Sequence, residues 1–316
     1  MALSDLVVFE EYAYSSMSEM LDYNVDLFNQ ATRGGMVLRT VAHQGDFSEQ
    51  AMWAKLSGLV RRRDAYGSGS LSEKTLQHIT ETSVKVAAGI NPVRIDPSML
   101  RWIQRSPQEA GSTVGMQMAK DSMADMVNTA IAAYVAAVSA HSEVYYDDDD
   151  DNTLTLAILN KIRALFGDRA SDVVCWVMHS KSLFDLYGTA LANSGYLFEF
   201  GNVKVAQDGF GNPFVVTDAP SLVDGENYYV LGPTAGAIVV DQNNDFEQNT
   251  QTNNGDENIT RTYQAEWSFN LGLKGYAWDK TSGGKSPDDT ALATGTNWDK
   301  FVTSFKDTAG VLGIVS

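Results

Sequence analysis

From residue 262 to residue 273 the chain alternates without a break. Tyr263, Ala265, Trp267, Phe269, Leu271 and Leu273 stand against Thr262, Gln264, Glu266, Ser268, Asn270 and Gly272. Successive side chains of a strand point to opposite faces, so residues 259–278 are predicted to hold a strand with one apolar face. Its strictly alternating part would run about 36 Å, near twice the usual length. The polar alternate face predicts an antiparallel sheet solvated on one side. Residues 112–141 instead follow the helical period. Met116, Met123, Val127, Ala130, Ile131, Tyr134 and Val138 mark one stripe, with Gln117, Lys120, Asp121, Asp125 and Asn128 opposite. That helix would be about 44 Å long. Ser106-Pro107 suits its entry. A methionine stripe at this spacing reads as packing and not as a cofactor site.

Shorter signals fill in the rest. Residues 36–42 and 80–88 are predicted as strands, the second alternating Thr82, Val84 and Val86 with Ser83, Lys85 and Ala87. The connection between them, 43–79, is longer than the roughly 15 residues that compact domains tolerate without a purpose. It carries Arg61, Arg62 and Arg63. The reading is a two-stranded arm with a basic stretch that reaches outward; an inserted subdomain is the alternative. Helices are predicted at 154–166 (Leu154, Ile158, Leu159, Ile162, Leu165 and Phe166 inward) and at 181–192 (Leu183, Phe184, Leu186, Tyr187, Ala190 and Leu191 inward). The apolar run 173–178 reads as a buried strand. Strands at 203–206, 214–217, 228–231 and 237–240 follow, parted by Asp-Gly and Gly-Asn-Pro turns.

The ends are less regular. The first thirty residues hold Asp5, Glu10, Glu11, Glu19, Asp22 and Asp26 and no Lys or Arg. Leu6, Val7, Val8, Phe9, Tyr12, Tyr14, Leu21, Tyr23, Leu27 and Phe28 show no clean period across the stretch, so an extended arm that needs a partner surface is expected. A terminal segment packed on its own domain is the alternative. Near the other end, Trp298, Phe301, Val302, Phe305 and Ala309 fall at helical spacing. That stripe must bury against its own body or a neighbour.

Composition narrows the class. At 316 residues, 44% hydrophobic and 20% charged, the chain has a real core. No apolar run reaches the roughly 20 residues that span a bilayer. The acidic start lacks a signal peptide's basic flank and apolar stretch, so a protein made and used in a cytoplasm, away from membranes, is expected. A net charge of -17 argues against sequence-specific nucleic-acid binding, which draws on phosphate neutralisation. It is compatible with a container that lets a nucleic acid slide past.

Candidate chemistry is sparse. Cys175 is the only cysteine, so there is no intrachain disulfide and no cysteine-based metal site. No two of the four histidines stand four apart around a Glu. Gly67-Ser68-Gly69-Ser70 is not a nucleophile elbow, and no phosphate loop or dinucleotide fingerprint occurs. Cys175 and His179 would share one face of a strand, but roughly 13 Å apart, too far for a thiolate–imidazole pair. The five aspartates 147–151 hold enough carboxylate for calcium but lack the glycine and distal Glu of an EF-hand loop. A solvated linker between two lobes is the better reading. No cofactor, metal or catalytic residue is expected.

What stands out is a long arm, a long helix, a long strand and loose acidic and apolar ends, the devices of assembly. In this order they resemble the phage major-capsid fold named after phage Hong Kong 97. Val174-Cys175-Trp176-Val177-Met178-His179-Ser180-Lys181 leading into Leu183-Phe184-Asp185-Leu186 is similar to the strand and helix of that family's axial domain. Residues 258–278, from Asn258-Ile259-Thr260-Arg261 to Gly275-Tyr276-Ala277-Trp278, are similar to its closing long strand. The ending Ser286-Pro287-Asp288-Asp289, Leu292-Ala293-Thr294 and Asn297-Trp298-Asp299-Lys300 resembles one subgroup of phage coat proteins.

The resemblance implies an α+β chain divided into an N-terminal arm (1–35), an extended loop (36–90), a peripheral domain with the spine helix (91–149), an axial domain (150–240), the peripheral long strands (241–280) and a C-terminal tail (281–316). It implies a non-enzymatic subunit that forms pentamers and hexamers of an icosahedral head around double-stranded DNA. The expected location is the virion, preceded by the host cytoplasm. A separate scaffolding protein, a portal and decoration proteins are the implied partners. Some members cross-link a Lys to an Asn between subunits; Lys55 lies in the arm, but no acceptor for it is identifiable. Asp5, Glu10, Glu11, Glu19, Asp22 and Asp26, the basic Arg61, Arg62 and Arg63, and the apolar Trp298, Phe301 and Phe305 are the candidate inter-subunit contacts. The rivals are an encapsulin-type compartment, another virion protein such as a tail tube, and a cytoplasmic enzyme using Cys175 and His179.

Overall fold

The computed structural model describes residues 3–43, 45–53, 59–71, 73–76, 78–147, 153–190, 198–200, 203–207, 211–254 and 257–316. The chain runs α1 (Leu3–Ala31), β1 (Met36–Thr40), β2 (Phe47–Trp53), β3 (His78–Gly89), β4 (Val93–Ile95), α2 (Pro97–Arg105) and α3 (Pro107–Ser139). Next come β5 (Tyr145–Asp147), α4 (Leu156–Ala164), β6 (Trp176–Met178), α5 (Ser180–Ala190), β7 (Phe198–Phe200), β8 (Val203–Gln207) and β9 (Pro213–Val216). The remainder is β10 (Val223–Asp224), β11 (Asn227–Pro233), β12 (Ile238–Gln242), β13 (Glu247–Asn253), β14 (Thr260–Leu273), β15 (Tyr276–Trp278), α6 (Asp289–Leu292), β16 (Trp298–Lys300) and β17 (Gly310–Val315).

The alternation at 262–273 does form a strand, β14, and it organises the first sheet. Antiparallel partners line it: β12 along 269–273, β3 along 266–271, β13 along 260–266 and β4 along 261–263. Its apolar side chains, Tyr263 to Leu273, join one core with the buried face of α3. The expectation of a fully solvated polar face fails at its centre. Ser268 and Asn270 are buried, because residues 243–245 fold over them. Asn243 Nδ2 donates to Ser268 Oγ (2.9 Å), Asn270 Nδ2 donates to Asn243 Oδ1 (3.3 Å), and the Ser268 amide donates to Asp245 Oδ1 (3.0 Å). Buried polar groups are tolerated when hydrogen-bonded in this way.

The long helix is α3, 33 residues starting with a proline in its first turn, where the missing N–H costs nothing. Of the predicted stripe, Val127, Ala130, Ile131, Tyr134 and Val138 are buried, and only its N-terminal part is shifted. Met118 and Met126 are buried while Met116 is exposed. The reason is α1. The expected extended arm is instead a 29-residue helix, with Phe9, Ala13, Met17 and Leu21, each four apart, as its buried row. It lies tightly on α3: a Cβ at Gly111 would sit 2.5 Å from the Phe9 carbonyl oxygen, and one at Gly115 2.3 Å from that of Ala13. Ser16 Oγ also donates to Ser112 Oγ (3.1 Å). The contact turns Gly111, Gly115, Met118, Ala119, Ser122 and Met126 inward.

The predicted pairing of 36–42 with 80–88 is also corrected. β1 pairs in parallel with β12 inside the first sheet, and the partner of β3 in the projecting hairpin is β2, from Phe47↔Val84 to Trp53↔His78.

The second sheet has the order β5-β17-β11-β6-β9-β8-β7, with β10 on β11. Its core joins Trp176, Met178, Phe214, Val230 and Val311 to Ile158 and Ile162 of α4 and Leu183 and Leu186 of α5. Phe184, predicted inward, is exposed. The expected helical tail is absent. Residues 298–315 form β16 in the first sheet, a 3-10 turn and β17, which is buried throughout and lies between β11 and β5. With β12 in the first sheet and β17 in the second, the sheets follow neither a boundary at 240 nor a separate tail from 281. Residues 191–195, 148–151 of the aspartate run, and Lys55 lie outside the described residues.

Candidate assembly surfaces

Helix α1 places its buried row against α3 and turns the remainder outward. Glu11, Glu19, Asp22 and Asp26 are exposed, and Asp5 and Glu10 are half-buried. Among the described residues none of the six makes an ion pair within the chain. Exposed beside them are Tyr12, Tyr14 and Tyr23, with Val7 and Leu27. A groove of about 340 Å³ separates α1 from the ends of β1 and β12, with Tyr14, Leu21, Asp22 and Phe246 on its walls. The rings of Tyr14 and Phe246 meet across it at 5.2 Å, tilted by 37°.

The β2–β3 hairpin projects from the first sheet, and residues 59–71 form its apex. Arg61, Arg62 and Arg63 are exposed there. So are Val60, at 95%, and Tyr66, at 99%. Such exposure of large apolar side chains beside three cations marks surface that the chain does not cover by itself. Among the described residues no ion pair joins these cations to the carboxylates of α1.

The third group is corrected. Trp298 is 2% exposed. It packs edge-on to Trp278 at 4.9 Å and donates from Nε1 to the Leu292 carbonyl (3.0 Å). Phe305 is half-buried against His141 (5.4 Å), with Lys300 Nζ 4.3 Å from its ring centre. Phe301 is half-buried and its amide donates to the Gly275 carbonyl (3.2 Å). Trp298 is therefore an internal contact, and Phe301 and Phe305 are partly covered by their own chain.

Cys175 is buried, and burial pushes its thiol up to about 12, against a smaller opposing pull from Arg33. It is protonated at neutral pH and unsuited to nucleophilic attack. His179 faces elsewhere, with Nε2 3.5 Å from Asp218 and its ring 4.9 Å from Tyr228. Among the described residues no three His, Cys, Asp or Glu side chains come close enough to hold a metal, and no helix is long and apolar enough to cross a membrane.

Sequence reasoning missed the loop 279–285. Lys280 pairs with Glu49 of β2 and lies 5.3 Å from the Phe47 ring, and Lys285 approaches Asp46 at 3.8 Å. The one available signal was Gly283-Gly284 following a tryptophan, which marks a tight wrap without naming what it holds.

A long helix laid across a sheet built on one long strand, a second sheet with its own helices and a projecting hairpin together define a Hong Kong 97-type capsid shell subunit. The match spans nearly the whole chain: the model of the Gp13-like family, major capsid protein 13-like, covers residues 5–312, and the chain belongs to that family. Among solved structures, the Cyanophage Pam1 capsid subunit is 9% identical with a TM-score of 0.52, covering 89% of this chain and 88% of its own. The acid-stable capsid of Helicobacter pylori bacteriophage KHP30 is 11% identical with a TM-score of 0.51, covering 91% and 88%. The holo-SrpI encapsulin of Synechococcus elongatus is 7% identical with a TM-score of 0.50, covering 88% and 84%. At such identity the likenesses show the fold, which capsids and an encapsulin share; the family match decides for a major capsid protein. No curated protein sequence matches.

Proposed function

We propose that this major capsid protein assembles as pentamers and hexamers into the icosahedral head of a tailed phage, with no catalytic role. Double-stranded DNA fills the head without sequence-specific contact. The subunit waits in the host cytoplasm, and a separate scaffolding protein, a portal and decoration proteins complete the particle. Between subunits, Arg61, Arg62 and Arg63 of one copy meet Glu19, Asp22 and Asp26 on α1 of the next, beside the groove walled by Tyr14 and Phe246.

The observation that carries this reading is the separation, within one chain, of two complementary surfaces. The apex has cations and bare apolar side chains; α1 has carboxylates and tyrosines and no cation in its length. Each exposed ion pair contributes about 0–1 kcal/mol, but a closed shell repeats every contact. The net charge of -17 is compatible with packaging in which the wall does not adhere to its polymer.

Arg61→Glu with Arg62→Glu tests the pairing. Negative-stain microscopy should show particle yield reduced at least tenfold, with the melting temperature of the unassembled subunit unchanged. Adding Glu19→Arg with Asp22→Arg should restore particles. Normal particles from the arginine variant alone would refute the pairing.

A further inference from the structure

The β2–β3 hairpin leaves the first sheet at Val84, where β3 stops pairing with β14 and is joined by β2 alone, and it is held near that base. Three contacts meet there, all from one loop. Lys280 Nζ forms an ion pair with Glu49 and sits 5.3 Å from the centre of the Phe47 ring. Lys285 Nζ stands 3.8 Å from Asp46. On its other side, β2 is held by β3, whose Lys85 amide donates to the Asp46 carbonyl (3.0 Å), and by His43 Nε2 against the Phe47 carbonyl (2.9 Å).

The loop that supplies both lysines is itself anchored. Trp278 is buried and donates from Nε1 to the Gly284 carbonyl (3.0 Å). Gly283 lies flat on that indole: a Cβ there would fall 2.1 Å from the ring. The Gly283 amide donates to the Asp279 carbonyl, the Thr281 amide to Asp279 Oδ1, and the Asp279 amide to the Asn297 carbonyl, at 2.8–2.9 Å. Gly284 takes a φ of +74°, which a residue with a side chain rarely adopts. A tight turn clamped on a buried tryptophan thus presents two cations to an edge strand.

We propose that Lys280 and Lys285 are positioning residues for assembly: they set the angle at which the hairpin projects and so the place its apex reaches on a neighbour. This rests on the reading that the apex contacts another copy. The two pairs are largely exposed, so they add little to the stability of the fold. Their effect comes from leverage. Thirteen residues separate Glu49 from Arg62, at most about 43 Å of extended chain. At that radius, a tilt of roughly 10° at the base carries the apex about 7 Å, more than the reach of an ion pair.

The test uses the unassembled full-length subunit, so it is independent of whether shells form. Gly69→Cys at the apex and Ser15→Cys on the outer face of α1 take spin labels, while buried Cys175 stays unlabelled. Electron–electron distance measurements should give a narrow distribution. Lys280→Glu with Lys285→Glu should broaden it at least twofold or shift its centre by several ångströms; adding Glu49→Lys with Asp46→Lys should restore it. Lys280→Gln with Lys285→Gln is read in the same way should the reversal impair folding. An unchanged distribution, or one that the swapped charges fail to restore, overturns the proposal. Absence of shells from the unmodified protein would count against the assembly reading and leave this measurement intact.

Discussion

Helices α3 and α1 are of similar length, 33 and 29 residues, and they lie against each other, yet they belong to different kinds of structure. From Thr129 to Val138 nearly every side of α3 is enclosed, by β14, by the 295–297 turn and by β17, to which Tyr134 Oη donates at the Val311 carbonyl (3.0 Å). α1 buries one row and leaves carboxylates and tyrosines outside. Burial all round fixes α3 within the subunit; burial of one row, as in any surface helix, leaves the rest of α1 open for the contact proposed above. The same contrast separates β14, buried along most of its length, from the hairpin that β2 and β3 carry outward.

Breaking the interior should cost most. Ile131→Ala, at a position closed to solvent, should lower subunit stability by about 3–4 kcal/mol in a denaturant titration; a loss under 1 kcal/mol would mean that the middle of α3 is looser than described. Gly115→Leu should cost about 2–3 kcal/mol by forcing backbone apart. It should also leave the core folded while α1 becomes protease-sensitive, since the overlap falls on the Ala13 carbonyl. Intact α1 in limited proteolysis would contradict the close helix contact.

A smaller effect follows from His141, whose imidazole is held below its ordinary 6.5 by burial and then by Lys300, against an opposing pull from Glu143. The unfolded chain therefore takes up this proton at higher pH than the folded one. Its contribution is complete above about pH 6.5 and declines as the pH falls below that, until the folded group itself titrates. Melting temperature between pH 7.5 and 5.5 should drop more for the natural chain than for His141→Phe, which keeps a ring against Tyr276 and Phe305; equal drops would remove His141 from the account. Least of all, Glu19→Lys with Asp22→Lys should change subunit stability by no more than about 0.5 kcal/mol, while cutting particle yield on sedimentation.

What the sequence disclosed depended on how far a pattern runs. β14 and α3 were legible because each repeats its period many times. α1 was not, since two of its four buried positions are Ala13 and Met17, small or unbranched residues hidden among more conspicuous tyrosines, and its packing signal lay in Gly111 and Gly115 of another helix. β2 was invisible because Phe47-Ser48-Glu49-Gln50-Ala51-Met52-Trp53 does not alternate; pairing with β3 makes it a strand. The spacing of Trp298, Phe301 and Phe305 imitated a helix, whereas Trp298 is fixed by Trp278, twenty residues upstream. Of the candidate contact residues, the exposure of most of the charged ones could be read because unbalanced charge stays outside, whereas the stripe that ends in buried Trp298 misled because an apolar stripe does not say whose surface covers it.

Hydrogen exchange of the unassembled subunit and of purified particles puts the division between interior and assembly surface to its most direct trial. Amides of β14 and of Thr129–Val138 should exchange equally slowly in both states, and those of 59–71 should pass from rapid exchange in the subunit to strong protection in the particle. Equal, rapid exchange at 59–71 in both would contradict the account.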